Sequence, residues 1–415
     1  MSLDTEFRYV AFVITDRKIS RIELGSANDI EGSIGAWRTA ILNDEQTYLQ
    51  LQPRIRQLLW AKLRSELPSQ IGNVYISPDA AFCRVPWSAI QGDLPGDLLL
   101  DDFSLAVVPH PQFLLRKAPH PAIAPPSSRV LVVGAVDYDT MSKGHKTVRR
   151  NRNDSEKQPR INTVSWPELT GAATESNAVA HAARSHKHDV LFLNRHHATV
   201  NEVLRHLPQA HYAHIATHGF FIAPTLAKNL GVNADFFQKS PYGERIGVAD
   251  RNPLLMVGLA FAGANVSPSP LECLASGQTI AELNLSHLDL AVLSACETGV
   301  GDVAGGEGSF GLSRSFHLAG THNVVASLWR VSDDATATLM TEFYKNLWDR
   351  GLSPLESLRQ AQLEMYRNPN LLANDSDRTF KEVAGSPTAK RTMNTTRGST
   401  RTALWAGFVL SGNGQ

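Results

Sequence analysis

From residue 129 onward, short and almost entirely apolar runs alternate with longer stretches that have helical periodicity. The first run, "RVLVVGAV" at 129–136, lacks the polar alternation of a half-exposed strand and is typical of a strand buried on both faces. Five further runs follow: "DVLFLN", "AHYAHIA", "LDLAVLSA", "NVVASLW" and "LWAGFVLSG". Helical stretches are expected near 174–186, 198–207, 308–319, 334–350 and 354–367. This alternation predicts an α/β fold with a mainly parallel, six-stranded sheet flanked by helices.

The chain before residue 126 has a different pattern. "YVAFVITD" and "ISRIEL" are joined by the short polar "RK", which predicts a hairpin, and helices are expected over 27–42 and 45–66. Three short β-rich runs follow: "NVYISPD", "AFCRVPW" and "SLAVVPH". The Pro-rich segment 117–128 is the expected connector. We therefore predict a smaller N-terminal α/β subdomain over 1–125 and a larger domain over 126–415.

Two segments of the larger domain lack apolar periodicity. Residues 143–160 carry seven Lys or Arg against two acids, and residues 367–402 carry seven against three. Both are also rich in small and polar residues, so we predict mobile basic insertions. The Lys and Arg bonds of residues 143–160 and 378–401 are candidate sites of self-processing, and the alternative is that these segments are solvated loops with no such role.

The composition excludes several classes of protein. The 40 Lys and Arg residues balance the 40 Asp and Glu residues, so no net field favours nucleic acid or an anionic membrane as a partner. No apolar run reaches the roughly 18 residues of a membrane helix, and the N-terminus enters a strand without a signal-peptide pattern. Three cysteines in this length do not make a disulfide framework. We expect a soluble cytoplasmic protein that binds neither nucleic acid nor membrane.

Reactive side chains follow two of the predicted strands at the points where those strands end. His218 lies in "HIATHGFF", and Cys296 lies in "VLSACETGVG". Reactive groups gather at the carboxyl ends of the strands in an open parallel sheet, so these two residues are expected to be neighbours. A cysteine beside an imidazole can act as a nucleophile, because the thiolate is the attacking species. The N–H groups of Gly219 and Cys296 would then form an oxyanion hole.

Structural and metal-binding alternatives stand beside this interpretation. A lone cysteine at a strand end is often a small buried hydrophobe, and we interpret Cys83 and Cys273 as packing residues. His214 and His218 have the i,i+4 spacing of helical zinc ligands. They lie in a strand-like run with no Glu between them, so no metal is expected.

A nucleotide site is a further alternative. Gly306, Gly308 and Gly311 match G-x-G-x-x-G, and a helix, a strand and Asp333 follow in the order of a dinucleotide fingerprint. Ten residues separate Ala295 from Gly306, however, whereas the fingerprint's first glycine opens the turn directly after its strand. The spacing therefore argues against a nucleotide cofactor.

Long motifs of the chain resemble the CHAT domain, a caspase-like cysteine peptidase family that is related to separases and often found beside TPR repeats. The motifs are "HIATHGFF", "LDLAVLSACETGVG", "GGEGSFGLSRSFHLAGTHNVVASLWRVSDDATATLM", "PLESLRQAQL" and "WAGFVLSG". "NVYISPDAAFCRVPWSAI" and "LLLDDFSLAVVPHP" extend the resemblance over nearly the whole chain. It implies the caspase-hemoglobinase fold, a catalytic dyad at His218 and Cys296, and no required metal or nucleotide.

The chain departs from the family pattern in its two basic insertions and in the absence of a preceding repeat. No 34-residue period occurs in the first hundred residues. We therefore expect either a separate regulatory partner, such as a TPR-containing or other sensor chain, or an excised catalytic piece of a larger protein.

The predicted activity is cysteine endopeptidase cleavage of a protein substrate. "SLWRVSD" resembles a separase-like segment, which implies that Asp333 recognises a basic residue before the scissile bond while Trp329 lines the pocket. Asp334 and Glu307 are alternative carboxylates for this role. The structural alternative is that Asp333 caps a helix that begins near residue 334. A catalytically silent scaffold and a nucleotide-binding domain remain the competing functions.

Overall fold

The structure is a computed structural model, and it describes residues 7–94, 96–115, 128–141, 165–221, 253–267, 270–295, 307–373 and 399–415. Its strands are β1 Arg8–Ile14, β2 Ile19–Ser26, β3 Asn73–Ile76, β4 Ser104–Val107, β5 Arg129–Val136, β6 Asp189–Arg195, β7 Tyr212–Ile215, β8 Gly219–Phe221, β9 Val257–Ala260, β10 Leu274–Ser276, β11 Leu290–Leu293, β12 Asn323–Ser327 and β13 Phe408–Gly412.

The helices flank these strands along the described chain. They are α1 Ala27–Asn43, α2 Glu45–Arg56, α3 Lys62–Arg64, α4 Leu99–Asp102, α5 Thr170–Ser185, α6 Val200–His206, α7 Gly277–Ala281, α8 Glu307–Ala319, α9 Asp333–Tyr344, α10 Pro354–Arg367 and α11 Asn370–Ala373. A π-helical turn, Gln57–Ala61, continues α2 into α3, and a second, Lys345–Asp349, follows α9. Among the described residues, no helix has both the length and the apolar character needed to cross a bilayer.

Eight strands form the main sheet in the order β3-β4-β13-β12-β11-β7-β5-β6. The run from β12 to β6 is parallel throughout. Strand β13 is antiparallel to β12, and β4 and β3 run parallel to β13. The mainly parallel α/β sheet is therefore confirmed. It has eight strands rather than six, because β3 and β4 from the first part of the chain extend the six predicted strands.

Helices cover both faces of this sheet, as predicted. Val130 and Val132 of β5 pack in the same hydrophobic cluster as α1, α5, α9 and α10. Leu131 and Val133 pack on the opposite face with α6, α7 and α8. The side chains of a strand point alternately to its two faces, so both sets must be apolar. This explains why the central strands are continuous apolar runs in the sequence.

The N-terminal part of the chain shares a core with the rest. Trp37 of α1 and Phe408 of β13 belong to one hydrophobic cluster. The predicted hairpin forms as an antiparallel pair, β1 with β2. "AFCRVPW" is not a strand: it forms 3-10 turns at Ala80–Arg84 and Trp87–Ala89, on either side of Pro86, which lacks an N–H for a ladder. Residues 117–127 of the expected connector, and residues 143–160 and 374–398 of the basic insertions, lie outside the described residues, so these remain predictions. Within the second insertion, residues 370–373 form α11.

A three-stranded antiparallel sheet, β10-β9-β8, lies beyond the end of β7 and was not predicted. Its strands are three or four residues long, which is too short for a readable alternation. Strand β8 begins at Gly219, directly after His218, and Gly219 lies opposite Leu259 of β9. This small sheet fixes the direction in which the chain leaves β7.

Helix α5 packs unusually close to β5. A Cβ atom added at Gly134 would lie 2.5 Å from the Cβ atom of Ser176, well inside van der Waals contact. Glycine therefore allows the helix backbone to approach the strand here. The contact sets the depth of α5 on the sheet, and with it the position of the neighbouring Glu175.

We expect Gly134→Ala to lower the free energy of unfolding by about 1–3 kcal/mol, because the added methyl group overpacks the interface with Ser176. Gly32→Ala is the matched control, since no atom lies within 4 Å of a Cβ built at that helical position. The control should raise stability by roughly 0.5–1 kcal/mol. Urea denaturation of both variants measures this, and a Gly134→Ala protein as stable as the control would contradict the packing argument.

Candidate active site

Strands β7 and β11 are hydrogen-bonded neighbours that run in the same direction. Ile215 lies opposite Leu293 in their register. His218 and Cys296 each follow that pair by three positions along the chain. The two strands therefore direct both chain segments to the same edge of the sheet. Cys296 itself lies outside the described residues, which end at Ala295 on this side.

His218 is held by a hydrogen bond to a backbone carbonyl. Its side chain is buried, with the residue 3% exposed, and Nε2 lies 2.7 Å from the carbonyl oxygen of Pro167. A carbonyl oxygen only accepts, so Nε2 must carry the hydrogen. In the neutral imidazole the lone pair is then on Nδ1. The ring is therefore in the tautomer that can take a proton at Nδ1.

Two aromatic rings flank this imidazole. The ring centroids of Tyr138 and Trp166 lie 5.1 Å and 5.6 Å from that of His218. The Tyr138 hydroxyl accepts the backbone N–H of His218 at 3.2 Å and also bonds to Thr217 Oγ1 at 2.8 Å. The carbonyl of His218 accepts the N–H of Ala260 at 2.9 Å. Backbone and ring are thus both fixed before any substrate binds.

The same surroundings favour the neutral imidazole. Burial lowers the pKa of His218, the hydrogen bond to Pro167 partly opposes this, and the positive charge of Arg330 lowers the pKa further. The net direction is downward from the usual value of about 6.5. At neutral pH the ring is therefore a base whose Nδ1 carries no proton, as deprotonation of a thiol requires.

A comparison with known protein families identifies the family of this chain. The family model described as the CHAT domain matches residues 50–413 of the chain. The chain belongs to the CHAT domain family. Both His218 and Cys296 lie within the matched range. The comparison with curated proteins found no match.

His214, the other histidine of the "HIATHG" motif, has a different environment. It is fully buried, with Nε2 3.3 Å from Glu175 Oε1 and Nδ1 3.1 Å from the Tyr344 hydroxyl. It shares none of these partners with His218, so the i,i+4 spacing does not bring the two rings to one metal site. Among the described residues of this CHAT domain, no group of three or more His, Cys, Asp or Glu side chains could hold a metal ion.

Trp329 has the surroundings of a core residue. It is buried, and its indole Nε1 donates to the carbonyl of Ala403 at 2.9 Å. The guanidinium of Arg38 from α1 lies 5.7 Å from the indole ring and also donates to the carbonyl of Leu328 at 3.3 Å. These contacts connect the N-terminal helix to the end of β12.

Asp333 is the first residue of α9, but its carboxylate serves a different helix. Oδ2 accepts the backbone N–H of Gly171, in the first turn of α5, at 2.8 Å. The N-cap of α9 is Ser332, so the structural alternative that Asp333 caps its own helix is wrong. A carboxylate at a helix N-terminus is favoured by the helix dipole and by the unsatisfied N–H groups there. Asp333 thus joins the starts of α9 and α5, and Asp334 follows it in the first turn of α9.

Two glycines of the dinucleotide pattern lie inside a helix. Gly308 and Gly311 both lie within α8, and a Cβ added at Gly311 would lie 3.2 Å from Val257 Cγ1. Gly311 therefore allows α8 to pack closely on β9. Gly306 and the side chain of Glu307 lie outside the described part of the structure.

Sequence reasoning missed several residues that shape the site. Tyr138 follows β5 in "VDYD", so the same strand-end argument that selected His218 would have found it. Trp166 gave no such signal. Pro167 gave none either, because it acts through a carbonyl group that every residue has.

We expect His218 to titrate below its ordinary range, and Trp166→Ala to raise its pKa towards about 6.5, because solvent then reaches the imidazole. The pKa of His218 is lower in the folded state than in the unfolded state. Its contribution to stability is therefore complete above the unfolded-state pKa and is lost as the pH falls through the folded-state pKa. NMR of ¹³C-labelled histidine rings, assigned with His218→Gln, measures the pKa directly. Tyr138→Phe is the control because it keeps the flanking ring. A wild-type His218 that titrates at or above 6.5 would contradict this account.

Proposed function

We propose that this CHAT domain is a cysteine endopeptidase in which Cys296 and His218 form the catalytic dyad. One observation carries the proposal: a buried His218, which donates from Nε2, follows β7 by three residues, and β7 pairs in register with β11, the strand that leads to Cys296. The orientation of the ring and the direction of its pKa shift both suit a base that accepts the proton of a nearby thiol.

The proposed reaction passes through an acyl-enzyme. Nδ1 of His218 takes the proton of Cys296 Sγ, and the thiolate attacks the scissile carbonyl carbon. The N–H groups of Gly219 and Cys296 stabilise the oxyanion. The imidazolium returns its proton to the leaving amine, and the neutral ring then activates water for deacylation. Throughout, the Pro167 carbonyl holds Nε2–H and favours the transient positive charge on the ring.

Substrate preference is proposed to be for Arg or Lys before the scissile bond. Asp333 accepts from Gly171 through Oδ2, and a carboxylate that accepts at one oxygen keeps acceptor capacity at the other. Asp333 can thus serve the fold and still bind a guanidinium. Trp329 lies four positions before it in the chain. Asp334 and Glu307 are the alternative carboxylates for this role. We further propose that the enzyme acts on a cytoplasmic protein and is regulated by a partner domain or chain.

Replacement of Cys296 by Ala should abolish cleavage and leave folding intact. Mapping of new protein N-termini in extracts treated with wild-type enzyme or with Cys296→Ala measures this even while the substrate is unidentified. Cys83→Ala is the matched control, because it removes another thiol outside the proposed dyad. If Cys296→Ala released the same N-termini at the wild-type rate, the nucleophile would be misassigned. If the wild type released none, with or without candidate partner proteins, the domain would be a silent scaffold.

Fluorogenic peptides that differ only in the residue before the scissile bond test the specificity. Arg should be preferred over Lys, because its planar fork can bond a carboxylate at two points. Asp333→Asn, Asp334→Asn and Glu307→Gln identify the carboxylate by loss of that preference. Asp333→Asn should also lower stability by roughly 0.3–1 kcal/mol through the weaker interaction with the N-terminus of α5. Preference for Asp or for an apolar residue would disprove the basic specificity.

A further inference from the structure

A buried polar network lies at the carboxyl end of β11, apart from the His218 site. Glu175 of α5 has a side chain that is 5% exposed, and its Oε2 accepts the hydroxyl of Ser294 at 2.9 Å. Ser294 directly follows β11 and precedes Cys296 by two positions. A carboxylate from α5 therefore holds Ser294, one of the last two described residues before the proposed nucleophile.

Two further side chains complete this network. His214 Nε2 lies 3.3 Å from Glu175 Oε1, and the Tyr344 hydroxyl lies 3.1 Å from His214 Nδ1. Burial and the nearby charge of Glu175 raise the pKa of Tyr344 well above its ordinary value, so its hydroxyl keeps its proton and can donate. Neither Glu175 Oε1 nor His214 Nε2 makes an aligned hydrogen bond within the described structure.

Such a network is costly for a core. Removing an acid and an imidazole from water carries a desolvation penalty, and incompletely bonded polar atoms add to it. Apolar side chains of similar volume in place of a buried polar pair often leave a protein equally stable or more stable. Fold stability alone therefore does not require Glu175 and His214.

The helix that carries Glu175 is itself fixed at two points. Gly134 allows Ser176, the next residue, to pack directly on β5. Asp333 accepts the N–H of Gly171, one turn earlier. Glu175 is thus presented to β11 from a helix with little freedom to shift, as precise positioning of a reactive group requires.

We propose that Glu175, supported by His214 and Tyr344, is a positioning residue that fixes the carboxyl end of β11 through Ser294 and so sets the approach of Cys296 to His218. The part that concerns Cys296 rests on the proposed peptidase function. The part that concerns the end of β11 does not, and it can be tested separately.

Ser294→Ala removes the hydroxyl that joins the end of β11 to Glu175, while Ser294→Thr retains a hydroxyl. We expect Ser294→Ala to speed hydrogen exchange of the backbone amides over 290–295, measured in the Cys296→Ala background, and Ser294→Thr to restore slow exchange. Ser286→Ala is the matched control: this exposed serine lies before β11 and bonds to Asn284. Unchanged exchange in Ser294→Ala would overturn the proposal, whether or not the protein is a peptidase.

In the enzyme with Cys296 intact, a misplacement of about 1 Å can cost up to 100-fold in rate, so Ser294→Ala should lower kcat roughly 10- to 100-fold with little change in KM. Ser294→Thr should recover most of this loss. An unchanged kcat in Ser294→Ala would overturn the role towards Cys296. If neither wild type nor any variant cleaves a peptide, the proposed function fails, and the exchange measurement alone decides the present inference.

The double variant Glu175→Met/His214→Phe separates positioning from stability. It replaces the polar pair with apolar side chains of similar size, so its thermal midpoint should equal or exceed that of Glu175→Met alone. We expect its kcat to remain as low as that of Ser294→Ala. Recovery of both stability and kcat in the double variant would show that the network is only structural and would overturn the proposal.

Discussion

Strands β7 and β11 pair in parallel, and the site depends on that pairing because it directs the chain after Ile215 and the chain after Leu293 to one edge of the sheet. Neither His218 nor Cys296 needs to be brought from a distant element. The flanking strands β5 and β12 hold the pair in the centre of an eight-stranded sheet that is covered on both faces. A buried central position gives such strands little freedom to slip, since a shift of one residue would turn apolar side chains to the wrong face.

The two faces of the sheet supply different side chains to the edge at which β7 and β11 end. On one side, Tyr138, Trp166 and the Pro167 carbonyl fix the imidazole of His218, and burial there lowers its pKa. On the other side, Glu175 reaches the chain after β11 through Ser294. Both arrangements act on backbone or ring orientation, as is required where a proton must pass between two groups held at fixed distance.

Much of the sheet could be predicted because its strands are buried on both faces, and "RVLVVGAV" marks the bounds of β5 directly. The strands β8 to β10 could not, since three or four residues show no period. The contribution of β3 and β4 to the same sheet depends on contacts distant in sequence, which no local pattern encodes.

The site was only partly readable from the sequence. His218 was predicted from its place after a strand, whereas Pro167 acts through its backbone and left no signal. Glu175 did leave a signal in the sequence, because it shares a helix face with the buried Val179 and Ala183 at spacings of four residues. A charged side chain on a buried face requires a partner.

The central claim is that a neutral His218 activates Cys296, and the rate of Cys296 alkylation as a function of pH tests it most directly. A peptidyl acyloxymethyl ketone, with the modified residue located by mass spectrometry, should label Cys296 much faster than Cys83. The wild-type rate should persist below pH 6.5, down to the depressed pKa of the imidazole, and His218→Gln should react slowly until the pH nears the thiol's ordinary value of about 8.5. Equal rates at Cys296 and Cys83, or a pH profile unchanged by His218→Gln, would contradict the account.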